Sequence, residues 1–209
     1  MKELNERLER KNAFHVRTER YRRLGYDRFA AASFVVEAGG KLSGPALDIG
    51  TGKGLTAMAL ARQGLDVVSV DTDADEQALA LLLAAEAGLE RRIRFIRGNA
   101  IALPYADGHF GCVAMMDVLH HLEDPPPVLE ETARVLTPRG VLILADFSPE
   151  GFELIARVHR DEGREHAVSG ATLESAATFL SRREFEPAAR LTGHKHDVTV
   201  LIKKARDPS

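Results

Sequence analysis

Residues 45–64, PALDIGTGKGLTAMALARQG, constrain this chain more than any other stretch. An apolar run reaches an acid at Asp48, passes through Gly50, Gly52 and Gly54, and continues as an Ala- and Leu-rich segment closed by Gly64. The run before the glycines reads as a short buried strand, and the segment after them as a helix. A strand, a glycine-rich turn and a helix in direct succession open a βα unit, and strands that alternate with helices argue for a parallel sheet. Glycine permits positive φ at such a turn and lets a ligand touch the backbone. In an open α/β sheet, ligands sit beyond the carboxyl ends of the strands, where these glycines stand. The helix that follows adds unpaired N–H groups.

The alternation continues along the chain. DVVSVD is a β-branched strand, and DADEQALALLLAAEAG a helix with acids in its first turn and Gly88 at its end. IRFIRGNA and FGCVAMMD are the third and fourth strands. PPVLEETARVLTPRG reads as a helix entered through prolines, and VLILADF as the fifth strand. Before the glycine turn, LNERLERK suggests a short amphipathic helix, and YDRFAAASFVVEAGG a second one. After residue 148 a charged stretch of mixed helix and loop leads to TLESAATFLSRR, a helix with Thr172 as N-cap and Glu174 near its first turn. AARLTGHKHDVTVLIKK then predicts two strands joined around Gly193 and His194. The expected architecture is α/β: a doubly wound, Rossmann-like sheet, mostly parallel, with an antiparallel hairpin strand at its C-terminal end.

The residues at the turn also select a ligand. The dinucleotide pattern G-x-G-x-x-G fails because its third glycine position holds Leu55, and the P-loop pattern fails because Lys53 is followed by Gly54. A carboxylate at Asp48 repels a pyrophosphate and suits a cationic group. Asp71, twenty-one residues after Gly50 at the end of the second strand, is placed to accept hydrogen bonds from ribose hydroxyls. A ribose, a cation and no required phosphate describe S-adenosylmethionine.

LDIGTGKG, VDTD, GNA and LPYADGHFGCVAMMDVLHHLEDPPPVLEETARVLTPRGVLILADF resemble, in order and over roughly residues 45–147, the motifs of a class I S-adenosylmethionine-dependent methyltransferase of the small type 11 kind. The resemblance implies a sheet of about seven strands with one antiparallel strand near the C-terminus. It implies S-adenosylmethionine as cofactor, S-adenosylhomocysteine as product and a small-molecule methyl acceptor. Asp48 and Gly50 would approach the methionine part of the cofactor, with Thr51 in the same loop and Gly52 giving it passage. Asp71 would hold the ribose and Thr72 lie beside the adenine. Asn99 and Ala100 match a D-A pair at the adenine edge, with an amide replacing the usual acid. Met116 and Asp117 would face the methyl donor. Tyr26 is a candidate to cover the cofactor tail, with core packing as its rival. Gly111 replaces a common acid, and Arg139 a frequent glycine. One domain over residues 1–209 is expected: helices or a lid at 1–44, a cofactor-binding core at 45–147, and an acceptor-side segment with the hairpin at 148–209.

His120 and His121 follow the fourth strand near the acceptor and are candidate catalytic bases, although the pair recurs in the family across substrates, which favours a structural role for at least one. His194 and His196, read as strand neighbours on one face, suggest a metal pair with His159 or His166 as a third ligand, against an exposed polar turn; no metal ligand is expected. That pair alone supports a regulatory cofactor- or metal-binding module as an alternative, and Asp117, Glu123 and Asp124 alone support aminopropyl transfer on the same fold. Cys112 reads as inert core, and Lys53 as a solvated residue at a helix start. Arg17, Arg20, Arg22 and Arg23 form either a solvated face or a contact for an anion.

Composition narrows the partners. A net charge of −3 on 209 residues marks no general nucleic-acid binder. No stretch of 18 apolar residues suggests a membrane span, the charged start MKELNERLERKN has no signal-peptide core, and one cysteine forms no internal disulfide. A cytoplasmic location is the default expectation, and the oligomeric state is not indicated.

Overall fold

The computed structural model describes residues 2–163 and 169–205. Its centre is one seven-stranded sheet: β1 (Ala46–Ile49), β2 (Val67–Asp71), β3 (Ile93–Arg97), β4 (Phe110–Met116), β5 (Leu136–Phe147), β6 (Phe185–Gly193) and β7 (His196–Lys203). The strand order is β3-β2-β1-β4-β5-β7-β6. The first five strands run parallel, and β7 is antiparallel to both neighbours. The chain steps outward from β1 to β3 and then returns to β4 on the other side of β1, so the strand order reverses between β1 and β4. That reversal opens a crevice at their carboxyl ends.

Period-2 alternation divides the core. Ala46, Cys112, Ala114 and Ile143 face a layer made by α1 (Lys2–Arg23), α2 (Arg28–Glu37), α3 (Leu55–Arg62), α4 (Ala74–Glu86) and α6 (Pro149–Asp161). Leu47, Val113, Leu142 and Leu144 face α5 (Pro125–Val135) and α7 (Leu173–Ser181) on the other side. Helix starts follow their caps. Asp73 accepts from the N–H groups of Asp75 and Glu76 to start α4, and Ser148 accepts from Gly151 to start α6. Thr172 and Ser175 form a reciprocal capping box on α7, as the sequence predicts for Thr172. Cys112 is buried within β4, and burial pushes its thiol up to about 12, which matches an inert core residue.

Three boundaries differ from the sequence reading. The first helix spans 22 residues rather than a short stretch, because Phe14, Thr18 and Tyr21 bury one face at helical spacing. The fifth helix stops at Val135, and 136-LTPRG-140 begins β5. Pro138 cannot continue a helix, and the buried Lys203 ammonium donates to the carbonyls of Ala133 and Leu136 at 2.7 and 2.8 Å, closing that helix end. The hairpin turns on His194 and Lys195, both at positive φ, rather than on Gly193, the backbone pattern of a two-residue type I′ turn. Gly111 is required locally: a Cβ there would stand 2.0 Å from the Ser43 carbonyl oxygen.

Arg139 sits at φ 63 in the bulged start of β5 and is exposed. A non-glycine residue in the left-handed region carries a steric cost of about 1 kcal/mol. Arg139→Gly is therefore expected to stabilise the fold by up to about 1 kcal/mol and to raise Tm by about 2–4 °C for a chain of this size. Thermal unfolding followed by circular dichroism checks it; an unchanged or lower Tm would show that the turn is not strained.

Candidate active site

The turn after β1 is held in a shape only glycine adopts freely. Gly50, Gly52 and Gly54 all have positive φ. A Cβ on Gly50 would stand 2.3 Å from Val118 Cγ2, so the segment after β4 packs directly on it. A Cβ on Gly52 would meet no atom within 4 Å, so open space lies beside that backbone. The Gly52 N–H donates to Asp71 Oδ2 at 2.9 Å, and the Asp73 N–H donates to Asp71 Oδ1 at 2.9 Å. One carboxylate thus fixes the glycine loop from the end of β2 and keeps lone pairs available, since each oxygen accepts more than one bond.

A cavity of about 400 Å³ opens at these strand ends. Gly50, Gly52, Asp71, Thr72, Asn99, Ala100 and Asp117 line it, and each is a residue the sequence reading singled out. Val118, Leu122 and Val128 supply its apolar side, which the reading missed although VLHHL and PPPV flank the fourth strand. Asp48, Thr51 and Met116 are buried rather than among the lining residues. Thr51 and Ser69 share a hydrogen bond of 2.7 Å between their hydroxyls, and Ser69 donates to Asp48 Oδ2 at 2.7 Å. Asp48 Oδ1 is buried and has no hydrogen-bond partner among the described residues. Burial pushes the Asp48 carboxyl up to about 7, the Ser69 hydrogen bond opposing this and the charge of Asp71 adding to it.

A second cavity of about 400 Å³ adjoins the first, sharing Asp117 and His121. Its walls come from α1 and α2, from α6 and from Phe147 at the end of β5. Tyr26 lies here, not in the glycine-loop cavity. It is buried edge-on to Tyr21 at 5.6 Å and Phe147 at 6.1 Å, and burial followed by the nearby Asp117 charge raises its pKa, so it remains a phenol. The core-packing reading of Tyr26 is therefore realised in a residue that also faces a cavity. His120 is buried: its Nδ1–H donates to Asp146 Oδ1 at 2.5 Å and its backbone N–H to Asp146 Oδ2 at 3.3 Å. His121 is exposed, its ring 4.0 Å from that of His120. Asp146, twenty-six residues away, carried no sequence signal beyond its place at the end of a strand.

The His194 and His196 pair does not form as read. His194 lies in the turn and is exposed, whereas His196 begins β7 and is fully buried. The His196 Nε2 lies 3.0 Å from Asp117 Oδ1, and its Nδ1 lies 2.9 Å from the His194 carbonyl oxygen. Both ring nitrogens face acceptors, an arrangement that favours the doubly donating imidazolium over the neutral ring. Burial opposes that charge, but Asp117 and the His194 carbonyl outweigh it and raise the His196 pKa. No group of three or more His, Cys, Asp or Glu suited to a metal occurs among the described residues. His166 lies outside them. Lys53 is not a solvated side chain either: it pairs with Glu76 and is half-buried.

A methyltransferase-domain profile of the type 11 kind matches residues 47–144, the span that carries the glycine loop, Asp71, Asn99 and Asp117. Residues 47–144 form a methyltransferase domain of the class I, S-adenosylmethionine-dependent kind. A demethylmenaquinone methyltransferase of Renibacterium salmoninarum is 37% identical over 138 residues, covering 65% of this chain and 51% of the relative. The solved YcgJ protein of Bacillus subtilis is similar in fold, with a TM-score of 0.65 at 20% identity over 84% of this chain and 99% of its own. A geranyl diphosphate C-methyltransferase of Streptomyces coelicolor, solved with S-adenosyl-L-homocysteine, has a TM-score of 0.64 at 14% identity over 83% of this chain and 75% of its own. The chain spans about half the length of the curated relatives it matches.

The cofactor of this methyltransferase family is S-adenosylmethionine, and the residues present suit it. The open space beside Gly52 admits a ligand against the backbone, and the unpartnered Asp48 Oδ1 favours a cation nearby. Where the family has an acid, Asn99 Oδ1 accepts from the Ile101 N–H at 3.1 Å, a turn that a carboxylate closes in the same way. Among the described residues, no helix is long and apolar enough to cross a membrane.

Proposed function

We propose that this chain transfers the methyl group of S-adenosylmethionine to a small-molecule acceptor by in-line displacement. The observation that carries the reading is the pair of adjoining cavities meeting at Asp117 and His121. One suits an adenosyl ligand and the other an acceptor, and a volume of 300 Å³ or more is ordinary for a site of either kind.

Bound there, S-adenosylmethionine supplies an electrophilic methyl on a sulfonium. The backbone of Gly50, Thr51 and Gly52 bears the amino-acid part of the ligand, and buried Asp48 biases that position toward a cation. Asp71 accepts from the ribose hydroxyls through the lone pairs its two backbone bonds leave free. Thr72 lies along the adenine, with Asn99 and Ala100 at its edge. Met116 and Asp117 end β4 at the side of the methyl donor, and Tyr26 approaches from the adjoining cavity. His120, oriented by Asp146, and His121, at the junction, receive the proton from an acceptor that must lose one. Alignment and exclusion of water do most of the work, because well-placed reactants are worth about 7 kcal/mol or more.

The division of labour follows the fold: residues 45–147 form the cofactor-binding core, and residues 1–44 with 148–209 form the acceptor side within one domain. Supporting this, α1, α2 and α6 wall the second cavity. Calorimetric titration with S-adenosylmethionine and S-adenosylhomocysteine, with NAD as control, is expected to give saturable binding of the two adenosyl ligands only. Binding of NAD, or of none of the three, would set the reading aside.

A further inference from the structure

The second cavity is cationic, and its cations differ in how they are neutralised. Arg10 pairs with Asp75 at 3.3 Å, Arg17 with Glu162 at 3.0 Å, and Lys53 with Glu76. Arg28, which lines the same cavity, forms no ion pair among the described residues. Its guanidinium lies over the Phe14 ring at 5.2 Å and the Tyr21 ring at 5.6 Å, half-buried between α1 and the start of α2. The adjacent acid does not serve it: Asp27 caps α2 through the N–H groups of Phe29 and Ala30 and takes Arg22 at 3.1 Å. The only carboxylate among the described residues lining the cavity is Asp117, which His196 occupies.

A guanidinium packed between ring faces has lost part of its water and presents fixed donors toward the cavity, which is the arrangement that recognises a planar anion. The buried phenol of Tyr26 stands beside it. We propose that Arg28 is a binding residue for a carboxylate, brought either by the amino-acid tail of the cofactor or by the acceptor. The proposal rests on the methyltransferase reading only for the cofactor source; the acceptor source needs only the cavity.

The test compares ligands that differ in the carboxylate. S-Adenosylhomocysteine and 5′-methylthioadenosine share the adenosine and the thioether, but only the first has the amino-acid tail. Benzoate and benzamide share a ring, but only the first is an anion. Affinities for all four are measured for the parent, Arg28→Met and Arg28→Lys, with unfolding curves for each. A loss of tenfold or more for S-adenosylhomocysteine in Arg28→Met, with methylthioadenosine within twofold of the parent and partial recovery in Arg28→Lys, supports the proposal with the cofactor as source. Unchanged adenosyl ligands, with benzoate binding lost and benzamide unaffected, support it with the acceptor as source. Equal losses across all ligands would mark Arg28 as a packing residue and overturn the proposal, as would no loss at all. Parent protein that binds neither adenosyl ligand would sink the methyltransferase reading instead, and the benzoate comparison would then decide Arg28 alone.

Discussion

Gly52→Val is expected to lower affinity for S-adenosylmethionine at least a hundredfold, about 3 kcal/mol, while the protein stays folded. The open space beside Gly52 is on the wall of the glycine-loop cavity, so a branched side chain there takes volume from the ligand. The substitution also strains the backbone, because Gly52 sits at φ 46. That cost, about 1–2 kcal/mol, leaves a fold of ordinary stability intact. Gly88→Val separates the two effects. Gly88 ends α4 at φ 70, a Cβ there also meets no atom within 4 Å, and it lines neither cavity. Both variants are expected to lose similar stability, and only Gly52→Val to lose the ligand. Parental affinity in a folded Gly52→Val variant, measured by calorimetry, would mean that the cofactor does not pass this glycine.

The fold was legible because its signals are local and repeat. Strands β1, β2 and β4 are short apolar runs, α2, α4, α6 and α7 start on side-chain caps, and the glycine turn ties the first pair to a parallel sheet. The helix end at Val135 was not legible. The apolar spacing of VLEETARVL runs straight into Leu136, and what stops the helix is strand pairing with Phe110 and the Lys203 ammonium, 67 residues from one of the carbonyls it caps. The length of the first helix is hidden for a related reason: its charge density masks Phe14, Thr18 and Tyr21, and its acidic partners Asp161 and Glu162 lie on and beside α6.

The candidate site divides along the same line. Gly50, Gly52, Asp71, Thr72, Asn99, Ala100 and Asp117 each stand at a strand end, so chain position alone gathers them around one cavity. The partners that decide protonation and orientation come from far along the chain. Asp146 reaches His120 across 26 residues, and His196 reaches Asp117 across 79. A lone aspartate at a strand end and a histidine beside a turn have no pattern that announces a partner. Period-2 alternation, which puts His194 and His196 on one face, fails where the chain is turning rather than extended.

Asp48→Asn is expected to stabilise the unliganded protein increasingly as pH rises. Burial raises the folded-state pKa of Asp48 to about 7, above the ordinary 3.8. The protonated carboxyl therefore favours the folded state, fully below pH 3.8, and this contribution is lost as pH rises through about 7, where the folded chain must bury a charge. Between pH 5 and pH 8 the loss is on the order of 3 kcal/mol. Asparagine cannot ionise and keeps an oxygen for the Ser69 hydroxyl, so the gap between variant and parent should widen by that amount across the window. Urea unfolding at several pH values measures it; parallel profiles would mean that Asp48 is already charged in the folded chain. The same carboxyl links stability to ligand binding. A cation bound beside it favours its ionised form, so S-adenosylmethionine should displace a proton from Asp48 near neutral pH. Calorimetry in buffers of different ionisation enthalpy reads that proton directly. Asp48→Asn should abolish its release and weaken the ligand, making the residue that destabilises the empty site the one that prepares it for a sulfonium.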